Sequence, residues 1–215
     1  MKKNILVVGG AGYIGSQVVT DLIREKYKVF VVDNLLTGNK QLINKNCIFK
    51  KLDIRETKKL ERFIKKNQIK IVIHCAASLS VKESLKRPAE YFSNNCTGTN
   101  SLLTAFKNAG GKIFIFSSTC AVYGNVKTNK ITEKNLLAPI SNYAKTKLIS
   151  EQMIQYYASN FNFNYGILRY FNVVGSDYMN GTGCMYDIGQ LFKRLADVTL
   201  KKKNSFSIYG KNYNT

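Results

Sequence analysis

The feature that most constrains the fold is a glycine run near the start of the chain, Gly9-x-x-Gly12-x-x-Gly15. Residues 3–8 before it form a short continuous apolar run, which is typical of a strand buried on both faces. Residues 14–24 after it carry apolar side chains at helical spacing. In this order the three segments predict a dinucleotide-binding unit, whose glycines allow a tight turn, close approach to a pyrophosphate and close helix–strand packing. We expect the phosphates at the helix N-terminus.

A second predicted strand, residues 28–32, ends at Asp33. Its distance from the glycines is close to the roughly 20-residue spacing of the acid that binds the ribose in such units. A carboxylate at this point accepts hydrogen bonds from both ribose hydroxyls and repels a 2′-phosphate. The sequence therefore predicts NAD, rather than NADP, as the cofactor.

The remaining chain alternates short apolar runs with amphipathic stretches. The predicted strands cover residues 47–50, 71–73, 112–116 and 164–168, and the predicted helices cover 56–66, 88–108 and 143–158. This alternation predicts an α/β fold, a Rossmann-like doubly wound parallel sheet with right-handed crossovers. It stops after Gly175, where we expect a loop over 177–183, a helix over 188–200 and a strand over 206–209. We therefore assign residues 1–175 to an NAD-binding domain and 176–215 to a second region.

Composition excludes several classes of function. No apolar run approaches the ~20 residues that span a bilayer. The N-terminus imitates a signal peptide, but Gly9 ends the apolar run and no cleavage site comes after it, so we expect a cytoplasmic protein without a membrane partner. The 5 cysteines form no C-x-x-C pair, and we expect neither structural zinc nor another metal. The net charge of +20 comes mostly from dispersed lysines, so we expect no nucleic-acid partner.

A second motif, Tyr143-x-x-x-Lys147, stands in the predicted helix after the fifth strand. Residues four apart share one helix face, so the lysine ammonium is expected to lower the pKa of the tyrosine. Such a tyrosine is a plausible acid/base for a sugar or alcohol hydroxyl. Thr119, at the end of the fifth strand, could direct its hydroxyl at the same oxygen. The lone His74 ends the fourth strand, and we interpret it as a structural residue.

These motifs belong to a longer set in which the chain resembles the extended short-chain dehydrogenase/reductase family, the NAD-dependent epimerases and dehydratases. The resemblance covers nearly the whole chain, in the order of the family. Its segments are VVGGAGYIGS (7–16), VDNLLTGN (32–39), LDIR (52–55), VIHCAASLSVKES (72–84), NNCTGT (94–99), FSSTCAVYG (116–124), SNYAKTK (141–147), LRYFNVVG (168–175) and IYGKNYNT (208–215).

The resemblance implies a role for individual residues. Tyr143 would accept a proton, with Lys147 and Thr119 as its catalytic partners. The implied NAD site consists of Gly9, Gly12, Tyr13, Ile14, Gly15, Asp33, Asn34, Leu35, Leu36, Thr37, Gly38, Asp53, Ile54, Cys75, Ala76, Ala77, Ser78, Leu79, Asn95, Tyr143, Lys147 and Phe171. The implied UDP-sugar site consists of Thr119, Asn172, Gln190, Leu191, Ser207 and Tyr209.

The resemblance implies an activity, the interconversion of UDP-glucose and UDP-galactose by transient oxidation at C4. Cys120 and Ala121 stand where related dehydratases carry an acidic pair, which argues against dehydration. Family members continue beyond the equivalent of Thr215 into a lobe that closes over the sugar, so we expect 176–215 to be an incomplete, truncated substrate-binding region.

Three functions therefore remain open. They are this epimerase, whole or as a fragment; another nucleotide-sugar epimerase or reductase; and a non-catalytic NAD-binding remnant. The resemblance also implies a homodimer formed by the helices near 88–108 and 143–158.

Overall fold

The computed structural model describes residues 3–126, 130–185 and 190–207. Its strands are β1 (Asn4–Val8), β2 (Lys28–Asp33), β3 (Ile48–Lys51), β4 (Ile71–His74), β5 (Ile113–Thr119) and β6 (Asn164–Tyr170). Its helices are α1 (Tyr13–Arg24), α2 (Thr57–Lys66), α3 (Val81–Lys86), α4 (Pro88–Tyr91), α5 (Gly98–Asn108), α6 (Asn142–Phe161) and α7 (Leu191–Thr199).

All six strands lie in one parallel sheet in the order β3-β2-β1-β4-β5-β6. This order confirms the predicted Rossmann-like doubly wound fold. The chain runs outward from β1 to β3, returns to the other side of β1 and then runs outward to β6. The carboxyl ends of β1 and β4 therefore flank the point where the strand order reverses, which is where ligands bind in open α/β sheets.

The core lies on both faces of the sheet, and β1 shows why its sequence is apolar throughout. Leu6 and Val8 point to a large cluster that includes side chains of α2, α5 and α6. Val7 points to the opposite face, where it packs with Val19 of α1 and with Val31 of β2. Because all three β1 side chains are fully buried, the strand carries no polar alternation. Each such side chain stabilises the fold by roughly 1.5–3 kcal/mol.

The main departures of the described residues from the prediction are a π turn, an additional short helix and a missing strand. The helix expected over 88–108 begins at Pro88 and ends at Asn108, but a π turn (Phe92–Thr97) separates α4 from α5. The short helix α3 before it was not predicted. The prediction of a strand over 206–209 is wrong for Phe206 and Ser207, which have no regular structure, and its other residues lie outside the described ranges.

The longest of the described helices, α6, begins at an N-cap residue with a polar side chain, Ser141. The Ser141 hydroxyl accepts a hydrogen bond from the backbone N–H of Ala144 at 3.1 Å. The helix ends at Phe161, and its C-cap residue Asn162 has a φ of 51°, which lies in the left-handed region. None of the helices in the described ranges is long and apolar enough to cross a membrane.

Candidate active site

The glycine run forms a turn between β1 and α1 that has no room for side chains at two of its positions. A Cβ at Gly15 would lie 2.1 Å from the carbonyl oxygen of Gly9. Gly9 has a φ of +82°, and a Cβ there would lie 2.5 Å from the backbone nitrogen of Ala76. Gly12 caps α1 without a side chain, so the N-terminus of the helix opens directly onto the cavity. The first N–H groups of a helix favour an anion, and this cradle therefore fits a pyrophosphate.

A cavity of about 520 Å³ lies in front of this turn, at the carboxyl ends of the strands. Most of the residues predicted to bind the cofactor line it. They are Gly9, Gly12, Tyr13, Ile14, Gly15, Asp33, Asn34, Leu35, Leu36, Thr37, Gly38, Ile54, Cys75, Ala76, Ala77, Ser78 and Leu79. Five others, Asp53, Asn95, Tyr143, Lys147 and Phe171, do not line it.

Asp33 is held at the end of β2 by two backbone donors. The N–H of Ala11 donates to its Oδ2 at 3.0 Å, and the N–H of Leu35 donates to its Oδ1 at 2.8 Å. Each carboxylate oxygen has a further acceptor position, because one oxygen accepts about two hydrogen bonds. A Cβ at Gly38 would lie 2.7 Å from Oδ1, so the loop after β2 wraps closely around the carboxylate. This acid is fixed and lines the cavity, as binding of ribose hydroxyls requires.

Asp53 lies behind the cavity, where it holds neighbouring segments together. It accepts hydrogen bonds from both Nε and Nη2 of Arg55 at 2.8 Å, and from the amide of Asn34 at 3.0 Å. The hydrogen bonds from Arg55 are the main reason that the pKa of Asp53 lies far below its ordinary value. Its neighbour Ile54 is the residue that lines the cavity.

Asn95 also supports the wall of the cavity from behind. It is buried in the π turn, and its Oδ1 accepts from the N–H of Ser78 at 2.8 Å. Its Nδ2 donates to the carbonyl of Ser78 at 3.1 Å and to the hydroxyl of Thr146 at 3.0 Å. Asn94 is the residue of this turn that lines the cavity. The π turn thus connects the loop after β4 to α6.

Two of the predicted catalytic residues, Tyr143 and Lys147, lie on α6, and the third, Thr119, ends the neighbouring strand β5. Tyr143 is 9% exposed and Lys147 is 2% exposed. Burial raises the pKa of Tyr143 to about 12, although a hydrogen bond with Thr119 favours the phenolate. The expected lowering of this pKa by Lys147 is not found. The four-residue spacing predicts that Tyr143 and Lys147 share one face of α6. It does not predict that burial has the larger effect on the pKa of Tyr143.

Lys147 is buried beside aromatic and sulfur-containing side chains. Its Nζ lies 4.4 Å from the ring centroid of Phe116. Burial lowers the pKa of Lys147 to about 8, and the charges of Cys75, Glu151 and Cys96 act in the opposite direction. Lys147 therefore carries most of its charge at neutral pH and loses it in mildly alkaline solution.

Few of the predicted substrate residues reach the cavity. Gln190 lines it, together with Cys184 and Met185 from the segment after β6. Asn172, Leu191 and Ser207 do not line it and are exposed, as is Phe171 of the cofactor set. Tyr209 lies outside the described residues.

Several cavity-lining residues were missed by sequence reasoning. Ser117 and Asn94 are polar, and each stands within or next to a family motif, which is a signal that the sequence offers. Cys184 and Met185 come from the segment after Gly175, where no periodic pattern exists. The missed set is Ala11, Val32, Leu42, Leu52, Asn94, Ser117, Cys184 and Met185.

Comparisons with known proteins identify the family. The model of the NAD dependent epimerase/dehydratase family matches residues 5–211. A curated UDP-glucose 4-epimerase from Rhizobium meliloti (strain 1021) is 38% identical over 214 residues, which are 99% of this chain and 65% of that protein.

Solved structures agree. The UDP-glucose 4-epimerase from Brucella ovis in complex with NAD superposes with a TM-score of 0.92 at 37% identity, over 99% of this chain and 66% of that one. The UDP-Glc/GlcNAc 4-epimerase from Campylobacter jejuni gives a TM-score of 0.84 at 32% identity, over 99% and 67% of the two chains. The chain thus spans about 65% of the length of the curated relative. With the glycine cradle, Asp33 and the Tyr143–Lys147 motif in place, the chain belongs to the NAD dependent epimerase/dehydratase family.

Proposed function

We propose that the chain binds NAD in the cavity and takes part in the 4-epimerisation of a UDP-sugar, interconverting UDP-glucose and UDP-galactose. One observation carries this proposal. The Tyr143–Lys147–Thr119 group lies at the carboxyl end of the sheet, as does the cavity, and the glycine turn beside that cavity fits a pyrophosphate. The similarity to UDP-glucose 4-epimerases supports the choice of substrate. We also propose the division into an NAD-binding part, residues 1–175, and a substrate-binding part that begins at 176.

In the proposed reaction the chain handles a single proton. Tyr143 accepts the proton of the sugar 4-hydroxyl, and later returns it to the same oxygen. The Thr119 hydroxyl donates a hydrogen bond to the phenolate, and Lys147, one helix turn further along α6, is a proposed NAD-binding residue. NAD, when bound, supplies a reversible acceptor for the hydrogen at C4. Asp33 orients the adenosine ribose, and the N-terminus of α1 holds the phosphates.

The test is a comparison of the chain with its Tyr143→Phe variant, which keeps the ring and loses the proton acceptor. Each protein is loaded with NAD and mixed with UDP-glucose, and near-ultraviolet absorbance reports reduced nicotinamide while NMR reports UDP-galactose. We expect both signals in the chain and neither in Tyr143→Phe, with equal NAD binding by calorimetry. NAD binding without UDP-sugar affinity, and without any effect of Tyr143→Phe, would instead identify a non-catalytic NAD-binding protein.

An N-acetylated UDP-sugar is a second candidate substrate, favoured by the similarity to the Campylobacter jejuni UDP-Glc/GlcNAc 4-epimerase. The same assay with UDP-N-acetylglucosamine separates the two. Turnover of UDP-glucose alone supports the proposed interconversion of UDP-glucose and UDP-galactose. Comparable turnover of both sugars contradicts a preference for UDP-glucose.

We further propose that α6 pairs with a second copy of the chain. Ile149 and Tyr156 are seven residues apart on one face of α6, and they are 36% and 71% exposed. Light scattering should give a dimer for the chain and a monomer for Tyr156→Glu. Tyr165→Glu, on the exposed side of β6, is the matched control and should remain dimeric. A monomer at every concentration of the unmodified chain would contradict the pairing.

A further inference from the structure

A buried ion pair lies behind the catalytic face of α6. Glu151 of α6 is 1% exposed, and its Oε2 accepts a hydrogen bond from Nη2 of Arg169 at 2.7 Å. Nε of Arg169 lies 3.1 Å from the other carboxylate oxygen, so the guanidinium binds with both arms of its fork. Buried pairs are weak evidence for stability, because desolvation offsets the attraction between the charges. Their rigid geometry therefore needs another explanation.

The pair connects four parts of the fold. Arg169 belongs to β6, and its Nη1 donates to the hydroxyl of Tyr123 in the turn after β5 at 2.9 Å. Its guanidinium carbon also lies 5.0 Å from the centroid of the Tyr123 ring. The Ser118 hydroxyl, at the end of β5, donates to the Glu151 carboxylate. Ser118 and Arg169 are direct partners in the β5–β6 register.

This cluster adjoins the catalytic residues from two directions. Tyr143, Lys147 and Glu151 are spaced four residues apart on α6, so they succeed one another along one helix face. Ser118 immediately precedes Thr119, whose hydroxyl is hydrogen-bonded with Tyr143. The buried carboxylate thus ties the strand end that carries Thr119 to the helix face that carries Tyr143.

We infer that Glu151 and Arg169 are positioning residues of the catalytic centre, which hold the end of β5 at a fixed distance and orientation from α6. This inference rests on the proposed function for its catalytic consequence. Neither residue lines the cavity, so both act through Thr119 and Lys147. A displacement of about 1 Å at a reacting group can reduce a rate about 100-fold, which gives such a clamp its importance.

The electrostatic consequence concerns Lys147. The groups that act on it from the packed elements are Cys75 after β4, Cys96 in the π turn and Glu151 on its own helix. His74, at the end of β4, interacts with the same ammonium and is neutral, because burial lowers the pKa of His74 to about 3. Burial raises the pKa values of both cysteines, so the thiols are neutral at neutral pH, whereas Glu151 forms an ion pair with Arg169.

The test uses Glu151→Gln, which keeps the shape and removes the charge, and Arg169→Lys, which keeps the charge and removes the fork. Glu61→Gln is the matched control, because Glu61 forms an exposed ion pair with Lys65 on α2. NMR of isotope-labelled lysine, assigned with Lys147→Met, measures the Lys147 pKa in the protein without ligands. Formation of UDP-galactose from UDP-glucose, followed by NMR, then gives kcat and KM separately.

We expect the Lys147 pKa to fall below about 8 in Glu151→Gln and to remain near 8 in Arg169→Lys and Glu61→Gln. We expect kcat to fall at least about tenfold in both pair variants with KM little changed, because the groups displaced act in the transition state. Should Glu151→Gln fail to fold, the double variant Glu151→Met/Arg169→Met removes both charges and carries the same test.

A wild-type Lys147 pKa in Glu151→Gln, together with wild-type kcat in both pair variants, would overturn the inference, even if their melting temperatures fell. Absence of nicotinamide reduction in the unmodified chain would overturn the proposed function instead. The Lys147 titration needs no ligand, so the two failures are distinguishable.

Discussion

A methyl group at Gly12 should separate cofactor binding from folding. Gly12 has φ −89° and ψ 174°, an extended conformation that alanine adopts readily. The nearest heavy atom to an added Cβ is the carbonyl oxygen of Gly9, at 3.4 Å, and the residue lines the cavity. The methyl of Gly12→Ala therefore fits the fold, and it stands where the backbone must approach a pyrophosphate.

Gly12→Ala has two opposing effects on the free energy of unfolding, and they nearly cancel. Replacing glycine by alanine at a compatible position stabilises a protein by about 0.4–1 kcal/mol through the unfolded chain. Alanine is a poorer N-cap than glycine, which removes a similar amount, so we expect a net change within about 0.5 kcal/mol of zero. Lengthening the contacts between the phosphates and the helix N-terminus by a methyl radius should weaken NAD binding at least tenfold, about 1.4 kcal/mol.

Gly15→Ala is the matched control with the opposite outcome. Its Cβ would lie 2.1 Å from the oxygen and 2.8 Å from the carbon of the Gly9 carbonyl, and both are backbone atoms. Overpacking of this kind costs about 1–3 kcal/mol or more, and the helix propensity of alanine returns about 1 kcal/mol. Urea denaturation without NAD measures stability, and calorimetry measures NAD affinity per folded molecule. Equal destabilisation of both variants, or unchanged NAD affinity in Gly12→Ala, would refute the reasoning.

Two further predictions concern the packing around the site. His74 is the sole histidine, and burial lowers its pKa from 6.5 to about 3, so the unfolded chain binds a proton that the folded chain excludes between these values. Stability present above pH 6.5 is therefore lost as pH falls, by at most about 1.4 kcal/mol per pH unit, and His74→Phe should remove this dependence in urea denaturation between about pH 5 and pH 6.5. Ser141→Ala removes the hydrogen bond that caps α6 and should lower the free energy of unfolding by about 1 kcal/mol, whereas an unchanged midpoint in urea would show that the cap contributes nothing.

The succession of the strands along the chain and their parallel direction could be predicted, because both depend on local sequence patterns. Continuous apolar runs such as residues 3–8 can only be satisfied by burial on both faces, and the Gly9–Gly15 turn places a helix directly after the first of them. The π turn could not be predicted, because its residues continue a helical pattern on either side. It is stabilised by Asn95, whose amide contacts Ser78 and Thr146, which are distant in sequence.

The site residues also fall into those that local sequence predicts and those that tertiary contacts determine. Gly12 and Asp33 lie where the motif predicts, because the turn after β1 and the end of β2 fix their positions. Asp53 shows the limit, because a carboxylate that looks available in the sequence is already held by Arg55 and Asn34. Residues 176–185 lack a periodic pattern, so the sequence gives no signal that Cys184 and Met185 line the cavity.

The pKa of Tyr143 is a quantity that the spacing of the Tyr143-x-x-x-Lys147 motif does not predict. With a pKa of about 12, forming the phenolate of Tyr143 at pH 7 costs about 7 kcal/mol, from five pKa units at 1.36 kcal/mol each. Lys147 does not remove this penalty in the ligand-free protein, so another positive charge must act on the hydroxyl during the reaction.

The oxidised nicotinamide ring is cationic, and a nearby cation lowers a tyrosine pKa. We therefore expect the Tyr143 pKa to lie well below 12 in the NAD-bound protein, measured by ultraviolet titration of the tyrosinate against Tyr143→Phe. An equal pKa with and without NAD would place the hydroxyl out of reach of the ring, and would contradict the proposed role of Tyr143.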